Sequence, residues 1–561
     1  LRLCAAGTID GLRVDHVDGL ADPAGYCRKL RQRLGTKYLV VEKILLAGES
    51  LPRSWQCDGT TGYDFMNEVS ALQHAPEAAT PLAEAWATLS GRPADFAVEE
   101  EAARREILAR SFGAQLEACV DAFARASRFE DISRPALRRT LTELLVHFPV
   151  YRTYATAEVR PRESGPFLAM AVKGAKRTGL ASDGWLLDRL HAWFQDPAQD
   201  AEPLRRFQQL SAPIAAKSVE DTGFYRYGRL LSRNDVGFDP HRFGSSAAEF
   251  HAQMRARQTT FPQAMLATAT HDHKRGEDVR ARLALLSEDP AGWTTRLGNW
   301  IERAPRLDPA DLAMLFQTVV GAWPLELELD DTAGRKVFAE RVAGWQEKAL
   351  REAKLRSDWA HPDEAYEKQA RDFTVALIAE DRHLTLLTDI FTFIQTIAPA
   401  GAVNALAQLV LKLTVPGVPD LYQGTEYWDF SLVDPDNRRP VDFAARRRSL
   451  GTTTLDMALP SWRDGRLKQI VVERLLALRR AKPQLFSDGS YEPIEAPAHL
   501  VAFRRRHGAD AVHVVVPRLA GHLVLDPGQI TLNKDAAFRL AGDAELFDDR
   551  LPLSVFSTFR R

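Results

Sequence analysis

The chain opens on short apolar runs separated by turn residues: "GLRVDHV" (11–17), "YLVVEKILL" (38–46) and "GTTGYDF" (59–65). Between the first two, "DPAGYCRKLRQRLG" runs from an Asp cap at 22 to a Gly stop at 35 and predicts a helix. Strand, helix and strand at this spacing predict a βαβ unit with parallel strands. From about 76 to 147 the pattern turns helical and charged. In "VEEEAARREILARSF" the pairs Glu100–Arg104, Glu101–Arg105 and Glu106–Arg110 fall at i,i+4, which predicts a solvated helix face. "FPVYRTYA" (148–155) reads as a strand, and 163–260 as mostly helical, broken by "EDTGFYRYGRLLSRNDVGFDP".

A strand-like "MLATATHDHKR" follows at 265–275, then helical sequence over 276–393. "LVLKLTVPGVPDLYQGTEYWDF" predicts a strand near 408 that runs into a loop rich in Pro, Gly and acids. After about 460 the grammar changes. One helix ("LKQIVVERLLALRRA") precedes short β-like runs such as "HLVAFRRR" and "AVHVVV", which predict a small all-β domain. The expected division is 1–75, carrying the first two strands, then a helical insertion at 76–147. A second α/β portion with helical insertions spans 148–460, and the C-terminal β domain 461–561.

Composition adds boundaries to this picture. Of 561 residues, 45% are apolar and 26% charged, a balance that supports a real core. The 73 basic and 75 acidic residues leave a net charge of −2, so no general attraction to nucleic acid or anionic membrane is expected. No run of about 18 apolar residues predicts a membrane span, and no signal-peptide pattern is read at the start. Cys4, Cys27, Cys57 and Cys119 fit no metal or CxxC spacing. Free thiols in a reducing cytoplasm are the expectation.

The chemistry suggested by the pattern lies in its acids. Asp15, Glu42 and Asp272 each close an apolar run, and strand ends of a parallel α/β barrel are where catalytic groups gather. Glycoside chemistry needs two such carboxyls, about 5–5.5 Å apart in retaining enzymes. Arg13 shares a strand face with Asp15 and is expected to keep it ionised. The apolar "YLVV" before Glu42 is expected to raise its pKa toward that of a general acid, with Lys43 turned to the opposite face. Period-two alternation puts His271 and His273 on one face, where a metal is the alternative to a sugar; without a second ligand pair the sugar is favoured. Trp55 and Tyr63 are sugar platforms or core aromatics, and Asp64 and Asp420 are pocket or turn residues. Lys274, Arg275, Asp278 and Arg280 line a pocket or form an ion-pair network at a helix start. Trp323, Trp345 and Trp359 read as packing residues.

Four stretches carry a resemblance: "GLRVDHVDGLADPAGY", "YLVVEKILLAGESLPRSWQCDGTTGYDF", "ATATHDHKRGEDVRARL" and "PGVPDLYQGTEYWDFSLVDPDNRRPVDF". Together with "AAKSVEDTGFYRYGRLLSRNDVG", "QTVVGAWPLE" and "KALREAKLRSDWAHPDEAYE" they resemble the maltooligosyltrehalose synthase family, within the α-amylase superfamily of glycoside hydrolases. The resemblance implies an α/β fold, a (β/α)8 TIM-type barrel with large helical insertions and a C-terminal all-β domain. It implies intramolecular transglucosylation: the reducing-end α-1,4 bond of a maltooligosaccharide becomes α,α-1,1, with retention and without cofactor or metal. Asp15 is then the nucleophile, Glu42 the acid/base and Asp272 the third carboxylate, with Arg13 and His271 holding the sugar. General α-amylases carry a Lys-His pair three and four residues after the nucleophile; Asp18 and Gly19 stand there in this chain, which implies a remodelled acceptor pocket. His16, Asp18, Glu49, Tyr63, Asp64, Lys274 and Arg275 are its candidate lining. A trehalose-releasing hydrolase is implied as the next enzyme. The rival readings are an ordinary α-1,4-glucan hydrolase and a non-catalytic glucan-binding protein.

Strands near 11, 38, 148, 265 and 408 correspond to strands four to eight of such a barrel. The first three, with their Asp-x-Val-x-Asn-His type motif, are absent from a sequence that starts at Leu1. The expectation is therefore a truncated barrel, inactive by itself because its sheet has open edges.

Overall fold

The structure is a computed structural model that describes residues 1–126, 129–156, 164–196, 201–523, 525–532, 546–547 and 551–558. It divides into two compact units that interleave in sequence. The first comprises Leu1–Thr61 and Asp95–Tyr227, the second Gly62–Ala94 and Gly228–Arg561.

In the first unit three strands, β1 (Gly11–Val14), β2 (Tyr38–Val41) and β3 (Gly59–Thr60), form a parallel sheet in the order β1-β2-β3. Gly11 lies opposite Tyr38 and Val14 opposite Val41. The predicted connecting helix is Pro23–Leu34: the Asp22 side chain accepts the Gly25 N–H, and Gly35 ends it at positive φ. Helices Phe96–Arg110, Gly113–Arg125, Arg134–Val146, Ser164–Thr178, Gly184–Gln195 and Ala201–Ala215 follow. They bury a common core that includes Val120, Phe123, Leu141, Leu144, Trp193 and Phe207.

Two expectations change here. The three i,i+4 pairs of Phe96–Arg110 do form, but they are not a solvated face. Arg104 is buried, Arg105 makes a fork to Glu143 at 2.6 and 2.8 Å, and Glu106 accepts from Arg226 at 2.6 Å. Charges that look solvent-directed along one helix are shared with its neighbours. Residues 148–155 form no strand. Their polar side chains bond the loop after β1 instead: Arg152 donates to the Asp18 and Leu20 carbonyls, each at 2.7 Å.

In the second unit β4 (Met265–Leu266) and β5 (Val418–Pro419) pair in parallel. The strand expected near 408 is the end of helix Leu384–Thr414, and the strand comes after it. A segment buried on every side has no polar face, so an apolar run there does not reveal its period. The stretch Asp381–Thr414 is long and apolar enough, by length and composition, to cross a membrane. Its C-terminal half is instead core: Val403, Leu406, Leu409, Val410 and Leu413 pack with Ile470, Val471, Phe503 and Val514.

The C-terminal portion matches its pattern. Helix Arg466–Ala481 precedes an antiparallel sheet of β6 (Ser490–Ile494), β7 (Leu500–His507), β8 (Asp510–Pro517) and β9 (Ser554–Thr558), in that order. Trp323 and Trp345 are buried, but Trp359 is 57% exposed, with the Arg351 guanidinium over its ring; it is not a core residue. All four cysteines are free and buried.

Candidate active site

β1 and β2 are short, adjacent and parallel, so their ends deliver consecutive loops to one edge. Asp15 follows β1 and Glu42 follows β2. The Glu42 N–H continues the ladder by donating to the Val14 carbonyl at 2.8 Å, which sets the two acids side by side. Arg13 reaches both, at 2.5 Å to Asp15 and 3.5 Å to Glu42. The His16 N–H donates to Glu42 Oε2 at 2.8 Å. His16 achieves this in the left-handed region, at φ 43°, a conformation that costs a non-glycine residue about 1–2 kcal/mol. Gly19 makes room for its ring: a Cβ there would lie 2.8 Å from His16 Cδ2.

The two carboxyls differ in access. The Asp15 side chain is 69% exposed and that of Glu42 17%. Burial, followed by a hydrogen bond with the Asp15 carboxyl, raises Glu42 from 4.5 to about 7, against the opposing His16 N–H and Arg13. Glu42 can thus give up and regain a proton near neutrality while remaining within reach of solvent, as a general acid needs. The two carboxyls are hydrogen-bonded to each other here, whereas a retaining pair at work on a sugar stands about 5–5.5 Å apart.

Asp18 and Glu49 do not line the opening. Both are buried with Lys43, which approaches Asp18 at 3.6 Å and Glu49 at 3.0 Å. Burial is the main cause that raises Glu49 above its usual range, with Lys43 opposing it. Trp55 is core, edge-on to Tyr154.

In the second unit Asp272 and His271 are both part-exposed and 3.2 Å apart. Arg438 reaches Asp272 at 3.3 Å and donates to the His271 carbonyl at 3.1 Å, while the Asn437 amide donates to the His271 and His273 carbonyls. His273 is buried against Ser431 and does not share a face with His271. Alternation fails because this segment turns after Leu266 rather than staying extended. Among the described residues no three His, Cys, Asp or Glu side chains gather as metal ligands.

Four predicted lining residues are placed elsewhere than at an open surface. Tyr63 is buried and donates to Thr270 at 3.3 Å. Asp64 pairs with Arg257. Lys274 and Arg275 are buried, their backbone N–H groups on Asp235, with Arg280 on the same carboxylate. The ion pair here is Arg280 with Asp235, which Lys274 and Arg275 join through their backbones, away from an open surface. Sequence reading gives Arg438, Arg152 and Tyr154 no role, and Lys43 only its turn away from Glu42, which the structure bears out. Arg438 stands in the quoted "DPDNRRP", while the two residues of "FPVYRTYA" were concealed by a strand reading.

No family model matches the chain. A curated protein of Mycobacterium tuberculosis (strain H37Rv), "Putative maltooligosyl trehalose synthase", is 37% identical over 521 residues, covering 91% of this chain and 63% of the relative. The solved maltooligosyltrehalose synthase of Arthrobacter ramosus is similar with TM-score 0.82 and 31% identity, over 99% of this chain and 71% of that one. A Sulfolobus tokodaii structure described as a hypothetical maltooligosyl trehalose synthase gives TM-score 0.76 and 30% identity, over 91% and 64%. The chain thus spans a little under two thirds of the curated relative it matches.

Proposed function

The chain belongs to the maltooligosyltrehalose synthase family, and we propose that it carries the catalytic pair of an intramolecular transglucosylase acting on maltooligosaccharides. The observation that supports this most is Glu42, its pKa raised by burial, held against Asp15 at neighbouring parallel strand ends. Glu42 gives its proton to the glycosidic oxygen as Asp15 attacks the anomeric carbon and the bond to the reducing-end glucose breaks. The product of this step is a covalent β-glycosyl-enzyme and a free glucose. Glucose turns within the site. Glu42, now a carboxylate, takes the proton from its anomeric hydroxyl, whose oxygen displaces Asp15. Two inversions give retention and an α,α-1,1 bond.

Arg13 steadies the Asp15 carboxylate between the two displacements. Asp272, with His271 and Arg438 beside it, is the proposed third carboxylate, stabilising the oxocarbenium-like transition state. The parallel strands of both units are proposed to be strands of a (β/α)8 barrel, in a cytoplasmic enzyme. Incubating the full-length protein with maltopentaose tests the reading. Loss of reducing ends with little free glucose is expected. Accumulating reducing sugar would support an α-1,4-glucan hydrolase instead, and binding without any product a glucan-binding protein.

A further inference from the structure

Asp15 and Glu42 stand on different loops, so their spacing depends on what ties those loops together. Lys43, next in sequence to Glu42, turns inward until its side chain is 1% exposed. Its ammonium meets Glu49 and Asp18, donates to the Ile44 carbonyl, and lies 5.6 and 5.8 Å from the ring centroids of Tyr151 and Tyr154. The Tyr154 hydroxyl donates to Asp18, and Arg152 holds the Asp18 and Leu20 carbonyls. Glu49 in turn accepts the Leu46 N–H at 3.0 Å. Glu220, bonded to the Tyr151 hydroxyl at 2.6 Å, also faces this cluster, with Asp221 acting on Tyr151 and Asp22 on Arg152.

The side chains of Asp18 and Glu49 are 5% and 6% exposed, so neither presents a surface to a sugar. One belongs to the loop after β1, the other to the loop after β2, and Lys43 bridges them. A buried ion pair is a poor way to gain stability, because desolvation offsets attraction and apolar residues of equal volume do as well. Its use is directional: it admits one arrangement of the groups it joins. Catalytic groups need placement within about 0.5 Å, and a 1 Å error costs about 100-fold in rate.

We propose that Lys43 is a positioning residue of the reaction, clamping the loop after β1 to the loop after β2 through Asp18, Glu49 and Tyr154 and so setting the Asp15–Glu42 spacing. The inference rests on the transglucosylase reading of that pair. Lys43→Met, assayed in the full-length protein on maltopentaose, is expected to lower kcat about 100-fold with KM changed less than about three-fold. Tyr154→Phe, which removes one hydroxyl and no charge, should lower kcat about ten-fold. Lys43→Met leaves two acids buried and unpaired; should it fail to fold, Lys43→Met/Asp18→Asn/Glu49→Gln removes all three charges together and is expected to show the same fall.

A second readout needs no substrate. Carbon-13 titration of the Glu42 carboxyl should give a midpoint below that of wild type in the variants, because the contact with Asp15 loosens. A folded variant with wild-type kcat, or with an unmoved Glu42 midpoint, overturns the clamp. If wild-type protein turns over no maltopentaose, the transglucosylase reading fails, and the titration alone then decides whether Lys43 holds the pair.

Discussion

Asp15 and Glu42 in the first unit, and Glu277 and Asp278 in the second, are both close pairs of acids flanked by cations. In the second pair Lys468 lies 2.7 Å from each carboxylate and Lys412 lies 3.5 Å from Glu277. Thr268 donates to Glu277, and the Asp429 N–H donates to Asp278 at 2.5 Å. All four charged side chains are at most 2% exposed. Burial pushes Glu277 up, but the two lysines outweigh it and hold the acid below its ordinary value. Burial raises Asp278 despite Lys468. Each pair therefore contains one raised acid, and a shifted pKa does not separate them. Access does. Glu42 is reached past an Asp15 that is 69% exposed, while Asp278 is sealed beneath the 425–431 loop that its carboxylate and Lys468 hold. One pair is open to solvent, and the other fastens a loop.

The sharpest test of this contrast is Glu42→Gln. It should lower kcat about 10²–10⁴-fold while the unfolding free energy, followed in urea, stays within about 1 kcal/mol. Lys468→Met should do the reverse. Two carboxylates left buried with half their cations should cost about 3–5 kcal/mol of stability, read as a lower urea midpoint at unchanged slope. A catalytic defect with no loss of stability in that variant would erase the distinction.

The pH profile comes next. Glu42 must hold its proton to act as an acid, and its folded pKa is raised to about 7. The ratio kcat/KM should therefore fall about ten-fold per unit above that value; Asp278→Asn should leave this upper limb where it is. Arg438→Ala removes a part-exposed partner of Asp272. It should lower kcat/KM about ten-fold, as loss of a supporting contact does, at a stability cost of about 0.2–1 kcal/mol. Smallest is Asp22→Ala, which removes the cap of helix Pro23–Leu34 for about 1 kcal/mol, seen by calorimetry.

Sequence reading succeeded where a local signal had a local cause. The Asp22 cap, the Gly35 stop, β1, β2 and the alternating strands of the C-terminal sheet all follow from neighbours in the chain. So did Asp15 and Glu42 at the ends of β1 and β2, and the rise of Glu42 behind "YLVV"; Asp272 instead lies in a turn beyond β4. It failed where meaning came from distant partners. Residues 148–155 look extended because Val150, Tyr151 and Tyr154 are apolar or aromatic, yet they serve a charge cluster whose other members lie more than a hundred positions away. Lys274, Arg275 and Asp64 look like polar lining because nothing nearby in sequence announces Asp235 or Arg257. Asp18 and Glu49 read as pocket lining for the same reason, and only burial reveals that their side chains face inward.

The fit of His16 over Gly19 bears on how such an enzyme is redesigned or diversified. Any side chain introduced at 19 meets the imidazole at 2.8 Å, and His16 is already held in a left-handed conformation while its N–H steadies Glu42. What position 19 can carry is therefore set by the residue at 16. A library at 19 alone, in search of a hydrolase-like acceptor site, samples mostly clashes; one that replaces His16 at the same time frees 19 to vary.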